Sequence, residues 1–221
     1  MRNGLFESIT YIIFDLDGLL IDSEPLWQMT EEKVLARYGK NWDESIAHQH
    51  IGLRLDAAAA VMVKAYDLQM DYRDLETEIL ADMFQLIAER LTLMPGANAL
   101  IQSAHDKGFV LGIASSSRED YIQAVVDQCG WSPYIQAIAS GYNVSSGKPA
   151  PDVYLQAAQF LQIDPTKGLA LEDSVNGSKA AFAAGLRTVA IPGHGFTPAD
   201  FAGFSHVVLP SLHEVISHLK P

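Results

Sequence analysis

Short apolar runs of strand length alternate with helical stretches along most of this chain. The strand-like runs are Ile9–Phe14, Phe109–Ala114, Ile135–Ala139, Gly168–Leu171, Arg187–Ile191 and His206–Leu209. The helical stretches between most of them are Ala97–Lys107, Arg118–Cys129, Pro151–Leu161 and Val175–Ala184. Such alternation is typical of a parallel sheet covered by helices on both faces. We therefore predict an α/β fold with a Rossmann-like parallel sheet flanked by helices.

The alternation is interrupted once, directly after the first strand. From about Pro25 to about Leu93 the pattern is helical throughout. A turn and helix-start signal at Asp22–Pro25 precedes this block, and Met94-Pro95-Gly96 follows it. We expect residues 1–22 and 94–221 to form the core domain and residues 23–93 an inserted all-helical domain. Because the chain crosses between the two domains twice at one place, we expect a hinge and a movable lid.

Composition excludes several classes of protein. The 221 residues are 48% hydrophobic and carry a net charge of −12, which disfavours nucleic acid or an anionic membrane as partner. The longest apolar runs are strand-sized, and the N-terminus lacks the apolar region of a signal peptide. The single cysteine, Cys129, is better explained as a small buried apolar residue than as a reactive thiol. We expect a soluble cytoplasmic protein, with a monomer as the default state.

Polar groups follow four of the predicted strands, at the point where each strand ends. They are Asp15 and Asp17 after the first strand, Ser115-Ser116-Ser117 after the second, Lys148 after the third, and Glu172 and Asp173 after the fourth. Taken singly, the serines and the second acid pair could be helix caps, and the lysine a solvated loop residue. The carboxyl ends of parallel strands meet at one edge of a sheet, where ligands bind. The presence of such polar groups after four strands of one predicted sheet therefore favours a single functional site.

The chemistry that needs this set of groups is phosphoryl transfer. A carboxylate can attack phosphorus and form an aspartyl-phosphate, which divides a difficult hydrolysis into two easier steps. A second acid can protonate the leaving oxygen and then take a proton from the attacking water. Mg²⁺ would hold the phosphate close to the nucleophile, while serine and lysine donors stabilise the charge on the phosphoryl oxygens.

These motifs resemble those of the haloacid dehalogenase-like (HAD) hydrolase superfamily, in the branch with a helical cap after the first strand. Asp15-Leu16-Asp17-Gly18 is similar to its first motif, Ser115 to the second, Lys148 to the third and Glu172-Asp173 to the fourth. Residues 17–27 and 171–177 are similar to those of bacterial sugar-phosphate phosphatases of the 2-deoxyglucose-6-phosphate phosphatase type. The same four motifs and the cap also occur in β-phosphoglucomutase.

The resemblance implies a role for each matching residue. Asp15 would be the nucleophile and a metal ligand, and Asp17 the general acid/base that also binds metal through its backbone carbonyl. The remaining assignments are Ser115, the backbone at Ser116 and Lys148 for phosphate binding, and Asp173 and Glu172 for Mg²⁺. The resemblance thus implies a Mg²⁺-dependent phosphatase acting on a small phosphomonoester, such as a sugar phosphate.

Two other functions stay open at this point. A phosphosugar mutase would share the motifs, but mutases of this family place a histidine in the first cap helix where this chain has Trp27. A phosphoaspartate signalling or binding module would also put acids at strand ends with a lysine nearby. Such receiver modules are shorter and lack a helical insertion, and Asp17 would have no role in them.

Substrate selection is expected in the inserted domain. Arg54 matches a cap arginine that contacts the substrate in the mutases, although a surface arginine fits the sequence equally well. Glu24 and Trp27 lie near the hinge and could meet a sugar ring, with packing as the simpler explanation for the tryptophan. The excess of acidic residues in this domain argues for a small monophosphate. Of the histidines, His194 is the one expected to come nearest the site.

Overall fold

The chain divides into two compact units. The structure is a computed structural model and describes residues 5–50 and 53–219. One unit comprises Met1–Asp22 and Thr92–Pro221, and the other comprises Ser23–Leu91. We call them the sheet unit and the helical unit. The predicted division into a core domain of residues 1–22 and 94–221 and a cap domain of residues 23–93 stays a prediction.

The sheet unit contains a six-stranded parallel sheet with the strand order β3-β2-β1-β4-β5-β6. The strands are β1 (Tyr11–Phe14), β2 (Val110–Ser115), β3 (Ile135–Ser140), β4 (Gly168–Glu172), β5 (Arg187–Ala190) and β6 (Val207–Val208). The α-helices of the described residues are α1 (Glu24–Arg37), α2 (Glu44–Ala47), α3 (Leu55–Ala65), α4 (Tyr72–Arg90), α5 (Ala97–Asp106), α6 (Glu119–Gln128), α7 (Asp152–Phe160), α8 (Val175–Ala183) and α9 (Leu212–His218). The predicted Rossmann-like α/β fold is confirmed.

Strand β1 lies in the middle of the sheet and is fully buried along its length. Tyr11 and Ile13 pack with α7 and α8 on one face of the sheet, in a core rich in alanine. Successive side chains of a strand point to opposite faces, so Ile12 and Phe14 lie on the other face. A strand covered on both faces needs an uninterrupted apolar sequence, and the run Tyr11-Ile12-Ile13-Phe14 provides one.

The register of β1 brings three strand ends side by side. Phe14 pairs with Ile113 of β2 and with Leu171 of β4. The residues that follow these partners along the chain therefore emerge at the same edge of the sheet. This arrangement positions the polar groups after β1, β2 and β4 as neighbours.

The helical unit has its own core. Helices α1 and α3 both contact α4, and the side chains between them include Val34, Leu35, Met62 and Ile79, all fully buried. No β-strand occurs among the described residues of this unit. In residues 5–50 and 53–219 we find no helix with the length and apolar character needed to cross a membrane. The cytoplasmic location stays a prediction.

Candidate active site

Lys148 links the ends of three neighbouring strands. Its ammonium nitrogen lies 2.5 Å from Asp15 Oδ1, 2.6 Å from Glu172 Oε1 and 3.0 Å from the carbonyl oxygen of Ala114. The Lys148 side chain is only 7% exposed, and Glu172 is completely buried. A buried charge is tolerated when it is paired and hydrogen-bonded. The alternative of a solvated loop lysine is therefore wrong, and Lys148 is the centre of a buried ion-pair network.

Three acids converge around this lysine. Carboxylate oxygens of Asp15, Glu172 and Asp173 all lie within 4.8 Å of one another. Burial raises the pKa of Asp15 to about 8; Lys148 opposes this shift and the neighbouring carboxylates reinforce it. Burial and the charges of Asp15 and Glu172 also raise the pKa of Asp173 well above its usual range. A single ammonium group does not balance three carboxylates, so the cluster favours a further cation.

The residues present fit a hard divalent cation. The donor set consists of carboxylate oxygens, which Mg²⁺ and Ca²⁺ prefer. Asp173 is held between two backbone segments that only glycine permits: a Cβ at Gly18 would lie 2.3 Å from Asp173 Oδ2, and a Cβ at Gly193 would lie 2.4 Å from it. Gly18 also has a φ of +83°, a left-handed conformation that glycine adopts readily. These contacts fix the orientation of the Asp173 carboxylate.

Glu172 is held even more tightly. It accepts hydrogen bonds from the Tyr154 hydroxyl at 2.7 Å and from the Ser174 hydroxyl at 3.1 Å, in addition to the bond from Lys148. A Cβ at Gly177 would lie 1.8 Å from its Oε1. The Lys148 nitrogen also lies 5.0 Å from the centre of the Tyr154 ring. Tyr154, which the sequence analysis did not assign to the site, is therefore part of this buried network.

Asp17 accepts hydrogen bonds on both of its carboxylate oxygens. Oδ2 accepts from the Ser117 hydroxyl at 2.8 Å and from the Ser115 hydroxyl at 3.4 Å. Oδ1 accepts from the Tyr121 hydroxyl at 2.7 Å. Tyr121 was not predicted as a site residue. The available signal was its position in the first turn of α6, four residues after the end of the serine run.

The serine run forms the turn between β2 and α6. Ser115 is buried, and its hydroxyl oxygen accepts a hydrogen bond from the backbone N–H of Ser117 at 3.0 Å. A Cβ at Gly141, directly after β3, would lie 3.0 Å from the Ser116 Cα, so the two backbones approach closely there. The turn thus lies beside Asp17, as the sequence predicts for strand ends at one edge. The assignment of Ser115, Ser116 and Lys148 to phosphate binding stays a prediction.

The three predicted substrate residues belong to the helical unit. Glu24 and Trp27 lie in α1, and Trp27 packs against the core of that unit. Arg54 is the N-cap residue of α3 and donates from Nε to Asp56 Oδ1 at 3.2 Å. The packing of Trp27 agrees with the simpler of its two explanations. The substrate roles of all three residues stay predictions.

The remaining candidates have ordinary surroundings. His194 is exposed in the loop after β5, where the neighbouring Gly193 donates its N–H to the Asp173 carbonyl at 2.9 Å. Cys129 is half-buried, and burial raises the pKa of its thiol to about 11. A thiol with such a pKa is a poor nucleophile at neutral pH, in agreement with the apolar explanation of this residue.

Comparison with known proteins identifies the family. Residues 12–191 match the family described as "Haloacid dehalogenase-like hydrolase". The bifunctional riboflavin kinase/FMN phosphatase of Arabidopsis thaliana is 32% identical over an alignment of 206 residues, and the alignment covers 90% of this chain. The match covers 54% of that protein, so the chain spans about half of its length.

Two further comparisons cover most of both partners. Hexitol phosphatase B of Escherichia coli K12 is 34% identical over 182 residues, covering 81% of this chain and 82% of that protein. The crystal structure of CbbY from Rhodobacter sphaeroides in complex with phosphate superimposes with a TM-score of 0.86 at 28% identity, covering 96% of this chain and 99% of that one. Together with the family match, these relatives show that the chain belongs to the haloacid dehalogenase-like hydrolase family.

Proposed function

We propose that this protein is a Mg²⁺-dependent phosphatase that hydrolyses a small phosphomonoester through an aspartyl-phosphate. The observation that carries the proposal is the position of Asp15: a buried carboxylate paired with Lys148 at the end of the central strand, two residues before a second acid held by hydroxyl groups. Relatives named as phosphatases support the reaction class.

In the first half of the reaction Asp15 is the nucleophile. A carboxylate oxygen of Asp15 attacks phosphorus, and the bond between phosphorus and the leaving oxygen breaks. Asp17 gives a proton to that leaving oxygen, so the alcohol departs neutral. Lys148, with the serine hydroxyl and backbone N–H groups after β2, stabilises the negative charge on the phosphoryl oxygens.

In the second half water completes the hydrolysis. Asp17, now ionised, takes a proton from the water molecule that attacks phosphorus. The bond between phosphorus and the Asp15 oxygen breaks, which releases inorganic phosphate and restores the carboxylate. When bound, Mg²⁺ would reduce the repulsion between the Asp15 carboxylate and the phosphate dianion. Asp15, Asp173 and Glu172 would hold it, together with the Asp17 carbonyl oxygen.

The substrate class we favour is a sugar or polyol monophosphate. A relative named hexitol phosphatase B supports this choice. The acidic character of the whole chain also disfavours a polyanionic substrate, because each additional phosphate would be repelled. Glu24, Trp27 and Arg54 of the helical unit are proposed to select among such substrates.

The test is phosphate release from p-nitrophenyl phosphate and a panel of sugar and polyol phosphates, with Mg²⁺ and with EDTA. We expect Mg²⁺-dependent turnover that Asp15→Asn abolishes. Asp106→Asn is a matched control, because that carboxylate is exposed at the end of α5. Intact mass after rapid acid quench should show one added phosphoryl group on the wild-type chain. Undiminished turnover by Asp15→Asn would refute the assigned nucleophile.

A further inference from the structure

The Asp17 carboxylate is clamped between two elements. Tyr121, in the first turn of α6, donates a hydrogen bond from its hydroxyl to Asp17 Oδ1 at 2.7 Å. Ser117, in the loop before α6, donates from its hydroxyl to Asp17 Oδ2 at 2.8 Å. A carboxylate bonded at one oxygen can still rotate about its bond to Cβ. Bonds at both oxygens, from donors in different positions, remove that freedom.

Of Tyr121 and Ser117, which both donate hydrogen bonds to the Asp17 carboxylate, Tyr121 is the less mobile. The residue is 1% exposed and lies among the buried side chains of α6, so the ring has no room to change rotamer. A buried phenol hydroxyl is costly unless it is hydrogen-bonded, and Asp17 provides an acceptor. Serine, by contrast, is small and can change rotamer at little cost. The aromatic residue therefore sets the orientation.

We propose that Tyr121 is a positioning residue that holds the plane of the Asp17 carboxylate in the orientation needed for proton transfer. This inference rests on the proposed function, in which Asp17 is the general acid and base. Proton transfer depends on a short, well-directed hydrogen bond between the donor and the acceptor. When the carboxyl group is already oriented before the substrate binds, the reaction does not have to bear the entropy cost of orienting it. Tyr121 acts through Asp17 and needs no contact with the substrate.

The proposal predicts an effect that depends on the leaving group. An alkoxide is strongly basic and must be protonated as it leaves, whereas p-nitrophenolate leaves readily without a proton. Tyr121→Phe retains the buried ring and removes the hydroxyl. We expect kcat/KM to fall about tenfold for an alkyl phosphate such as a polyol phosphate, a part of the usual contribution of general acid catalysis. For p-nitrophenyl phosphate we expect a change of less than about twofold.

The control is a second buried tyrosine of the sheet unit. Tyr11 is fully buried at the start of β1, and its hydroxyl donates to the carbonyl oxygen of Asp164 at 2.9 Å, at the opposite end of the strand from Asp15. Tyr11→Phe should leave the ratio of the two kcat/KM values unchanged. Ser117→Ala tests the other half of the clamp should Tyr121→Phe fail to fold, and we expect the same selective loss in smaller degree. Thermal unfolding of each variant reports on folding.

The outcomes separate the two proposals. A selective loss for alkyl phosphates in Tyr121→Phe, absent in Tyr11→Phe, supports the positioning role. Equal losses for both substrates, or no loss at all, would overturn that role and leave the phosphatase proposal standing. Absence of turnover by the wild type with every phosphomonoester would overturn the proposed function, and the role of Tyr121 with it.

Discussion

Gly177→Ala should destabilise the protein, although the same change in an ordinary helix is stabilising. Gly177 lies in the first turn of α8. In a helix interior, alanine is favoured over glycine by about 1 kcal/mol. Here the added Cβ would lie 1.8 Å from Glu172 Oε1 and 2.0 Å from its Cδ, less than any real contact allows. Either the helix or the glutamate must move.

The expected cost follows from what holds Glu172. Its carboxylate is fully buried and accepts hydrogen bonds from Lys148 at 2.6 Å and Tyr154 at 2.7 Å. Disrupting a buried ion pair costs about 3–5 kcal/mol, because a charge remains without compensation. After subtracting the gain in helix propensity of about 1 kcal/mol, we expect the free energy of unfolding to fall by about 2–4 kcal/mol.

The assay is urea unfolding of the variant and of two comparison proteins. Ser178→Ala is the matched control: Ser178 is the next residue of α8, is fully buried, and has a hydroxyl without a hydrogen-bond partner among the described residues. We expect Ser178→Ala to be neutral or stabilising. In a Glu172→Ala background, where the clash is removed, Gly177→Ala should be neutral or should stabilise by up to about 1 kcal/mol. Wild-type stability of the single Gly177→Ala variant would refute the reasoning.

Three further predictions concern titratable groups. Burial raises the pKa of Glu31 from 4.5 to about 7, and the hydrogen bond from Trp42 opposes this shift. Between these two pH values the folded state retains a proton that the unfolded state loses, so the free energy of unfolding should fall by up to about 3 kcal/mol as pH rises from about 4.5 through 7. Urea unfolding of Glu31→Gln should show no such dependence on pH. Because Asp15 and Asp173 have raised pKa values, Mg²⁺ binding near neutral pH should release protons. Mg²⁺ that binds only the folded state should also raise the Tm. Calorimetry of Asp173→Asn with Mg²⁺ should show neither effect. The pKa of about 11 predicts that iodoacetamide modifies Cys129 at pH 8 about a hundredfold more slowly than a peptide thiol with the ordinary value, as measured by intact mass.

The sheet could be predicted because its signal is local. A buried parallel strand requires a continuous apolar run, and β1 shows one in the sequence itself. The convergence of Asp15, Lys148 and Glu172 followed from strand ends meeting at one edge, and the distances between them agree with it. The edge strand β6 is shorter than the predicted run His206–Leu209, because only Val207 and Val208 pair with β5.

The site residues that were not predicted depend on the orientation in which each helix packs against the sheet. Tyr121 and Tyr154 occupy apolar positions of α6 and α7, where a tyrosine looks like any packing residue. Their hydroxyl partners, Asp17 and Glu172, are set by the final packing and leave no trace in the local pattern. The same holds for Gly177, since a glycine in a helix does not reveal which side chain it makes room for.

The position of β1 has a consequence for the order in which the chain folds. Its partners are distant in sequence: Tyr11 pairs with Val110 of β2 and with Gly168 of β4. During synthesis the first strand therefore leaves the ribosome with no partner, while the helical unit, whose core lies wholly within Ser23–Leu91, can form before either partner is made. The apolar Tyr11–Phe14 segment remains an open strand edge throughout that interval. The strand that leads into the proposed nucleophile is thus also a segment that can pair wrongly in the newly made chain until β2 and β4 have been synthesised.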